Sequence, residues 1–241
     1  MEDLGVEVFK VDYTIHQTLV DALKGVDLCI CCLPCFTDPE PCYKVQLALI
    51  KAADQAKVTK FVPSEWEPLP SKYPHPLSTI NHFRRKTTVL FQDYKNKLIE
   101  YLQTQPMQMT WTAFSPGIFL DYYSPSSTGL KGKDKLASSE TLWPAGFTFI
   151  VDFDKKITEV PGDGETGLIA FTAADDIGGF IAAACTQLSL SQWPTGEWGF
   201  CGGLYTPNEV VRVAETIRGT KLEEFGNGRA IAKTVCLGGG H

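Results

Sequence analysis

Apolar residues follow two alternating rhythms over the first half of the chain. Continuous apolar runs at `VEVFKVD` (6–12), `VDLCICCLP` (26–34), `VTKFVPSEW` (58–66) and `MQMTWTAFSPG` (107–117) predict strands. Such runs, rather than strict alternation, mark strands covered on both faces, as in a parallel sheet. Between them the period changes to that of a helix. Ile15, Leu19, Ala22 and Leu23 share one face of `TIHQTLVDALKG`, which stops at Gly25. Val45, Leu49, Ala52, Ala53 and Ala56 recur at i, i+3 and i+4 over 43–57, and a long helix is predicted over about 79–104. Pro68, Pro70, Pro74 and Pro76 exclude regular structure from 67–78. Strand and helix alternate, so the expected fold class is α/β with a doubly wound parallel sheet.

The rhythm breaks after Gly117. A loop-rich stretch leads to an extended piece, a turn at `GDGETG` (162–167), a helix of small residues over 174–188 and a strand at `EWGFCGG` (197–203). The last strong signal is a capping box, with Thr206 as N-cap, Pro207 in the first turn and Glu209 three residues after the cap. The expected division is a sheet domain over 1–118 and a mainly separate, smaller lobe over 119–241, with helix 174–188 packing back on the sheet.

Composition narrows the function. A chain of 241 residues with 44% hydrophobic and 21% charged residues is an ordinary globular protein. Its net charge of −6 argues against nucleic acid or an anionic membrane as partner. No apolar run reaches the roughly 18 residues of a membrane span, and the acidic start `MEDLGVEVF` is not a secretory signal. The expected setting is cytoplasmic and reducing, where disulfides are disfavoured.

Four cysteines crowd into residues 29–35. Cys32 and Cys35 form one C-x-x-C, but a structural zinc site usually needs a second pair, and Cys185, Cys201 and Cys236 stand apart. The histidines at 16, 75, 82 and 241 lack ligand spacing, so no metal is expected. Cys29, Cys31 and Cys32 are expected to be buried, reduced strand residues.

Ligands of doubly wound sheets sit outside the carboxyl ends of the strands. A dinucleotide site there also uses a strand, a glycine-rich turn and a helix N-terminus for the pyrophosphate. No such unit precedes the strand at 6–12, and `GDGETG` reads better as a hairpin turn. If 6–12 is the third strand and the cysteine strand the fourth, two strands between them are missing. Either another segment fills that gap or the first βαβ unit is expected upstream, and without it the cysteine strand has an open edge.

The stretches `GVEVFKVDYTIHQTLVDALKGVDLCICCLP`, `QLALIKAADQAKVTKFVPSEW` and `YKNKLIEYLQTQPMQMTWTAFSPGIFLDYY` resemble the NmrA-like and isoflavone-reductase-like family of atypical short-chain dehydrogenase/reductases. The resemblance covers about residues 4–123 and continues more loosely through `VPGDGETGLIAFTAADDIGGFIAAA`. It implies a Rossmann-type NADP-binding domain, a smaller substrate lobe, and reduction of small aromatic or carbonyl-bearing metabolites. It places Asp12 near the adenine, and Cys32, Leu33 and Pro34 beside ribose and adenine. Pro63, Ser64 and Glu65 fall beside the nicotinamide, and Pro116, Gly117 and Phe119 pack at the same end. Lys95 matches the lysine that contacts the nicotinamide ribose and acts as general acid/base. Trp66 departs from the family, which has phenylalanine there.

Ordinary short-chain dehydrogenases pair a tyrosine with a lysine four residues on, and none of the eight tyrosines here does so. Lysine must therefore carry any proton transfer. Read without the family, Lys95 in `YKNK` is a solvated helix residue, Ser64 a turn residue and Asp12 a helix cap. The aromatics of `FLDYYSP`, with Trp143 and Phe147, fit a core better than a pocket. Three readings stay open: a reductase of a small molecule, a non-catalytic NAD(P)-binding regulator that acts through a protein partner, or an inactive truncated paralogue.

Overall fold

The computed structural model describes residues 5–33, 39–66, 87–123, 150–153 and 155–224, in two compact units. The first comprises residues 1–115 and 183–199, the second 116–182 and 200–241.

In the first unit, α1 (His16–Ala22) precedes β1 (Leu28–Ile30), α2 (Pro39–Gln55), β2 (Lys60–Val62), α3 (Thr87–Thr104) and β3 (Thr110–Ser115). These strands are parallel neighbours in the order β1-β2-β3, with Leu28 opposite Lys60 and Lys60 opposite Thr110. A fourth parallel strand comes from the distant `EWGF` segment, where Thr112 lies opposite Gly196. That strand belongs to the first unit together with residues 183–195; of the predicted helix, 183–188 lie in this unit and 174–182 in the second.

The helices pack α1 on α2 and α2 on α3. Helix α2 buries Gln46, Ile50 and Ala53, one face at i, i+4 and i+7. It begins earlier than its apolar period suggests, since proline is tolerated in a first turn and Glu40 there suits the helix dipole. Helix α3 buries Lys95, Leu98, Ile99 and Leu102, again one stripe. The first eight residues of the predicted long helix, 79–86, and the proline-rich loop lie outside the described residues.

Two expectations fail at the start of the sheet. Residues 6–12 form no strand, and Val6, Val8 and Phe9 are exposed. A strand exists only through a ladder partner, and among the described residues nothing pairs on that side of β1. The cysteine strand is likewise covered on one face only. Cys31 is buried and Cys29 packs beside it against the core, whereas Ile30 and Cys32, on the other face, are exposed. Cys32 is therefore not the buried residue expected. Burial pushes the Cys29 thiol up to about 11 and the Cys31 thiol up to about 12. Both are free thiols, as is Cys32. Cys42 in α2 is disulfide-bonded, against the expectation from compartment, and its partner lies outside the described residues.

The second unit contains β4 (Ile118–Phe119), β5 (Val151–Asp152), β6 (Ile157–Thr158) and β7 (Ile169–Thr172). Helix α4 (Ala174–Gln187) starts in it and ends in the first unit, where β8 (Gly196–Gly199) follows. The second unit resumes with β9 (Gly203–Tyr205), α5 (Pro207–Arg218) and β10 (Glu223–Glu224). Its two small sheets are β4-β7-β9 and β10-β6-β5. The predicted capping box is present: Thr206 Oγ1 accepts from the Glu209 amide at 3.2 Å and Glu209 Oε2 accepts from the Thr206 amide at 2.7 Å. The `GDGETG` turn docks on this helix start, with Asn208 Nδ2 donating to Glu165 Oε1 at 2.9 Å.

Candidate functional site

Pro63 ends β2 and a tight turn follows. The Glu65 amide bonds the Pro63 carbonyl at 2.9 Å, closing a three-residue turn centred on Ser64. Ser64 in this turn and Trp66 just after it are tied to other elements. The Ser64 amide donates to Gln46 Oε1 of α2 at 2.6 Å, and Ser64 Oγ donates to the Leu33 carbonyl beyond β1 at 3.0 Å. The Trp66 indole N–H reaches the Cys31 carbonyl at 2.8 Å, and its ring stacks on Phe114 of β3 with centroids 5.8 Å apart. Phe114 in turn meets Trp193 at 5.4 Å and Trp198 at 5.5 Å. Trp66 adopts φ +40°, in the left-handed region that bulky residues avoid.

Onto this turn α3 delivers Lys95. Its side chain is 8% exposed, with Nζ 2.5 Å from the Glu65 carbonyl and 3.8 Å from Glu65 Oε2. An ammonium and a carboxylate are thus buried together, which is costly unless each compensates the other and further hydrogen bonds complete the set. The arrangement presents a proton-bearing nitrogen, a carboxylate and a hydroxyl at the carboxyl end of a parallel sheet.

The structure brings together Leu33, Pro63, Ser64, Glu65 and Lys95, with exposed Cys32 alongside. Pro34 lies outside the described residues. Asp12 is exposed and is not the cap of α1, because Ile15 occupies that position. Its carboxylate accepts from the Thr14 amide at 2.8 Å and from Thr14 Oγ1 at 2.6 Å, and the Thr14 hydroxyl bond holds its carboxyl below the usual range. Pro116, Gly117 and Phe119 belong to the second unit. There the Pro116 carbonyl accepts from Thr172 Oγ1 at 2.5 Å, and Gly117, at φ +77°, lies against the Ala170 backbone. Of the aromatic cluster anticipated as core, Tyr123 packs against Phe153 and Phe171 within the second unit, while Trp143 and Phe147 lie outside the described residues.

Sequence reasoning missed two supports. Gln46 carries the Ser64 amide, and its phase with Ile50 and Ala53 was a usable signal: a polar residue on a buried stripe needs a partner. Lys60 is 2% exposed at the start of β2, with Nζ 3.1 Å from the Trp193 carbonyl and 3.4 Å from Thr112 Oγ1. Burial depresses its pKa. It sits at the amino end of its strand, away from the turn.

Parallel strands in this order, joined by helices and with the candidate site residues at their carboxyl end, define a Rossmann-type α/β protein. The NmrA-like family model matches residues 1–234, and the chain belongs to that family. It is 26% identical over 195 residues to the oxidoreductase swnN of Metarhizium robertsii, which covers 77% of this chain and 53% of that protein. The swnN oxidoreductase of Arthroderma benhamiae gives 26% over 196 residues. The chain spans about half the length of these curated relatives. Among solved structures, AtPrR2 with NADP+ and (+)-pinoresinol aligns with a TM-score of 0.62 at 21% identity, over 93% of this chain and 62% of that one. An isoflavone reductase aligns with a TM-score of 0.59 at 22% identity, over 92% and 61%. At these identities the likeness shows the fold.

Proposed function

We propose that the chain is part of an NADP-dependent reductase of a small aromatic or carbonyl-bearing metabolite, with Lys95 as the proton donor. One observation carries this reading: a lysine buried on the apolar face of α3 directs its Nζ onto the turn at the carboxyl end of β2. A solvated helix lysine has no reason to be there. The names of the relatives, oxidoreductases in two fungi, and the NADP+ bound to AtPrR2 support the same class.

The residues present fit one end of the cofactor. Leu33, Ser64, Glu65 and Lys95 offer a wall with hydroxyl and ammonium groups suited to the nicotinamide ribose. Among the described residues no glycine-rich strand-turn-helix unit meets the pyrophosphate, and α1 is preceded by the Asp12 carboxylate rather than by an anion cradle. When bound, the reduced nicotinamide supplies a hydride to the substrate carbon. Lys95 holds its proton at Nζ through the Glu65 carbonyl and gives it to the substrate oxygen as charge develops there. Ser64 fixes the turn and thereby the acceptor that aligns Lys95. In this reading residues 1–118 form the cofactor half and 119–241 mainly the substrate lobe.

NADPH oxidation by the purified chain, with NADPH in excess over a panel of aromatic ketones and phenylpropanoids, tests the proposal. Because nothing among the described residues meets the pyrophosphate, weak NADPH binding is expected and turnover only at high NADPH, and Lys95→Met should lower kcat by about 10²–10⁴-fold, the usual loss for a general acid. Cofactor binding without turnover on any substrate would instead make the chain a regulator that acts through a protein partner.

A further inference from the structure

We propose that Trp66 is a positioning residue for Lys95: its indole locks the peptide plane whose carbonyl receives the lysine ammonium. The proposal rests on the reading of Lys95 as proton donor and adds what holds that proton in place.

The backbone shows why the indole matters. The φ bond of Trp66 joins its Cα to the peptide plane that contains the Glu65 carbonyl. At φ +40° that plane is held in a conformation a tryptophan would leave if released. Two contacts prevent the release. The indole N–H donates to the Cys31 carbonyl at 2.8 Å, and the Cys31 amide is itself bonded to the Val62 carbonyl at 2.8 Å, so the acceptor is fixed on β2. The ring also stacks on Phe114, which is fully buried in β3. Beyond the turn that ends β2, Trp66 therefore grips the neighbours of that strand on both sides, and its ring cannot turn without breaking one contact. The carbonyl so fixed is the one 2.5 Å from Lys95 Nζ. If the grip is lost, φ relaxes towards negative values, the carbonyl swings away, and the ammonium loses a charge-assisted bond.

Trp66→Phe keeps an aromatic ring over Phe114, a smaller one, and deletes the N–H donor. Competitive acetylation of the folded chain across a pH range, read by mass spectrometry for each lysine, follows Lys95 directly. Losing a hydrogen bond to the charged form should raise Lys95 reactivity about tenfold at a given pH and move its pH midpoint down, while buried Lys60 stays unreactive. A folded Trp66→Phe chain with unchanged Lys95 rate and midpoint overturns the proposal. So does a joint rise of Lys95 and Lys60, which marks general loosening. Should Trp66→Phe not fold, Trp66→Tyr, which also lacks the indole N–H, decides by the same criteria. The labelling needs neither cofactor nor turnover, so its result stands apart from the test of the reductase reading.

Discussion

Replacing Gly117 by alanine separates two reasons for a glycine. Gly117 has φ +77°, and an added Cβ would run into the carbonyl and Cβ of Ala170, where β4 lies parallel to β7 with Ile118 opposite Phe171. Gly162, in the same unit, has φ +68° and nothing within 4 Å of an added Cβ. The left-handed conformation costs an alanine about 1–2 kcal/mol at either position. Stiffening the unfolded chain returns about 0.4–1 kcal/mol of that. Only Gly117→Ala adds an overpacking penalty of about 1–3 kcal/mol, because the obstacle is backbone in a ladder and cannot swing aside. Gly162→Ala should therefore cost about 1 kcal/mol, and Gly117→Ala about 3 kcal/mol or more, from the sum of those terms. For a chain of this size, each kcal/mol lowers Tm by about 2–4 °C. Thermal unfolding followed by circular dichroism, with urea titration of the same variants, measures both. Equal losses at the two positions would refute the close-approach account and leave φ as the whole reason for Gly117.

Lys60 and the cysteines offer two further tests. Burial lowers the Lys60 pKa, so the native state binds fewer protons than the unfolded chain between that value and 10.5. Stability should gain a rising contribution as pH climbs through this window, and Lys60→Met should remove it; identical pH slopes in urea titrations of both chains would contradict the burial. Among the thiols of the cysteine strand, exposed Cys32 should react with iodoacetamide first and Cys31, held near 12 and buried, last. Equal rates by mass spectrometry would show that the outer face of β1 is covered after all.

Helix α5 was legible in the residues alone because its signals are local: a capping threonine, a proline and a glutamate three residues after the cap. The sheet strands over 28–30, 60–62 and 110–115 were legible for a similar reason, since continuous apolar runs between amphipathic helices admit few other arrangements. Ser64 and Glu65 could be placed at the end of a strand because Pro63 stops it. What pairing decides was not legible. Residues 6–12 carry a strand-like pattern but no ladder, and `EWGF` joins the first sheet as its fourth strand from more than eighty residues away, because hydrogen-bond partners are fixed by topology rather than composition. Burial of single polar groups was hidden in the same way. `YKNK` reads as a solvated stretch until packing puts Lys95 on the stripe of Leu98, Ile99 and Leu102, and no propensity announces that Trp66 takes a left-handed φ. Local rules set the elements; the strand neighbours, the buried ammonium and the turn that receives it come from long-range contacts, which the folded chain alone supplies.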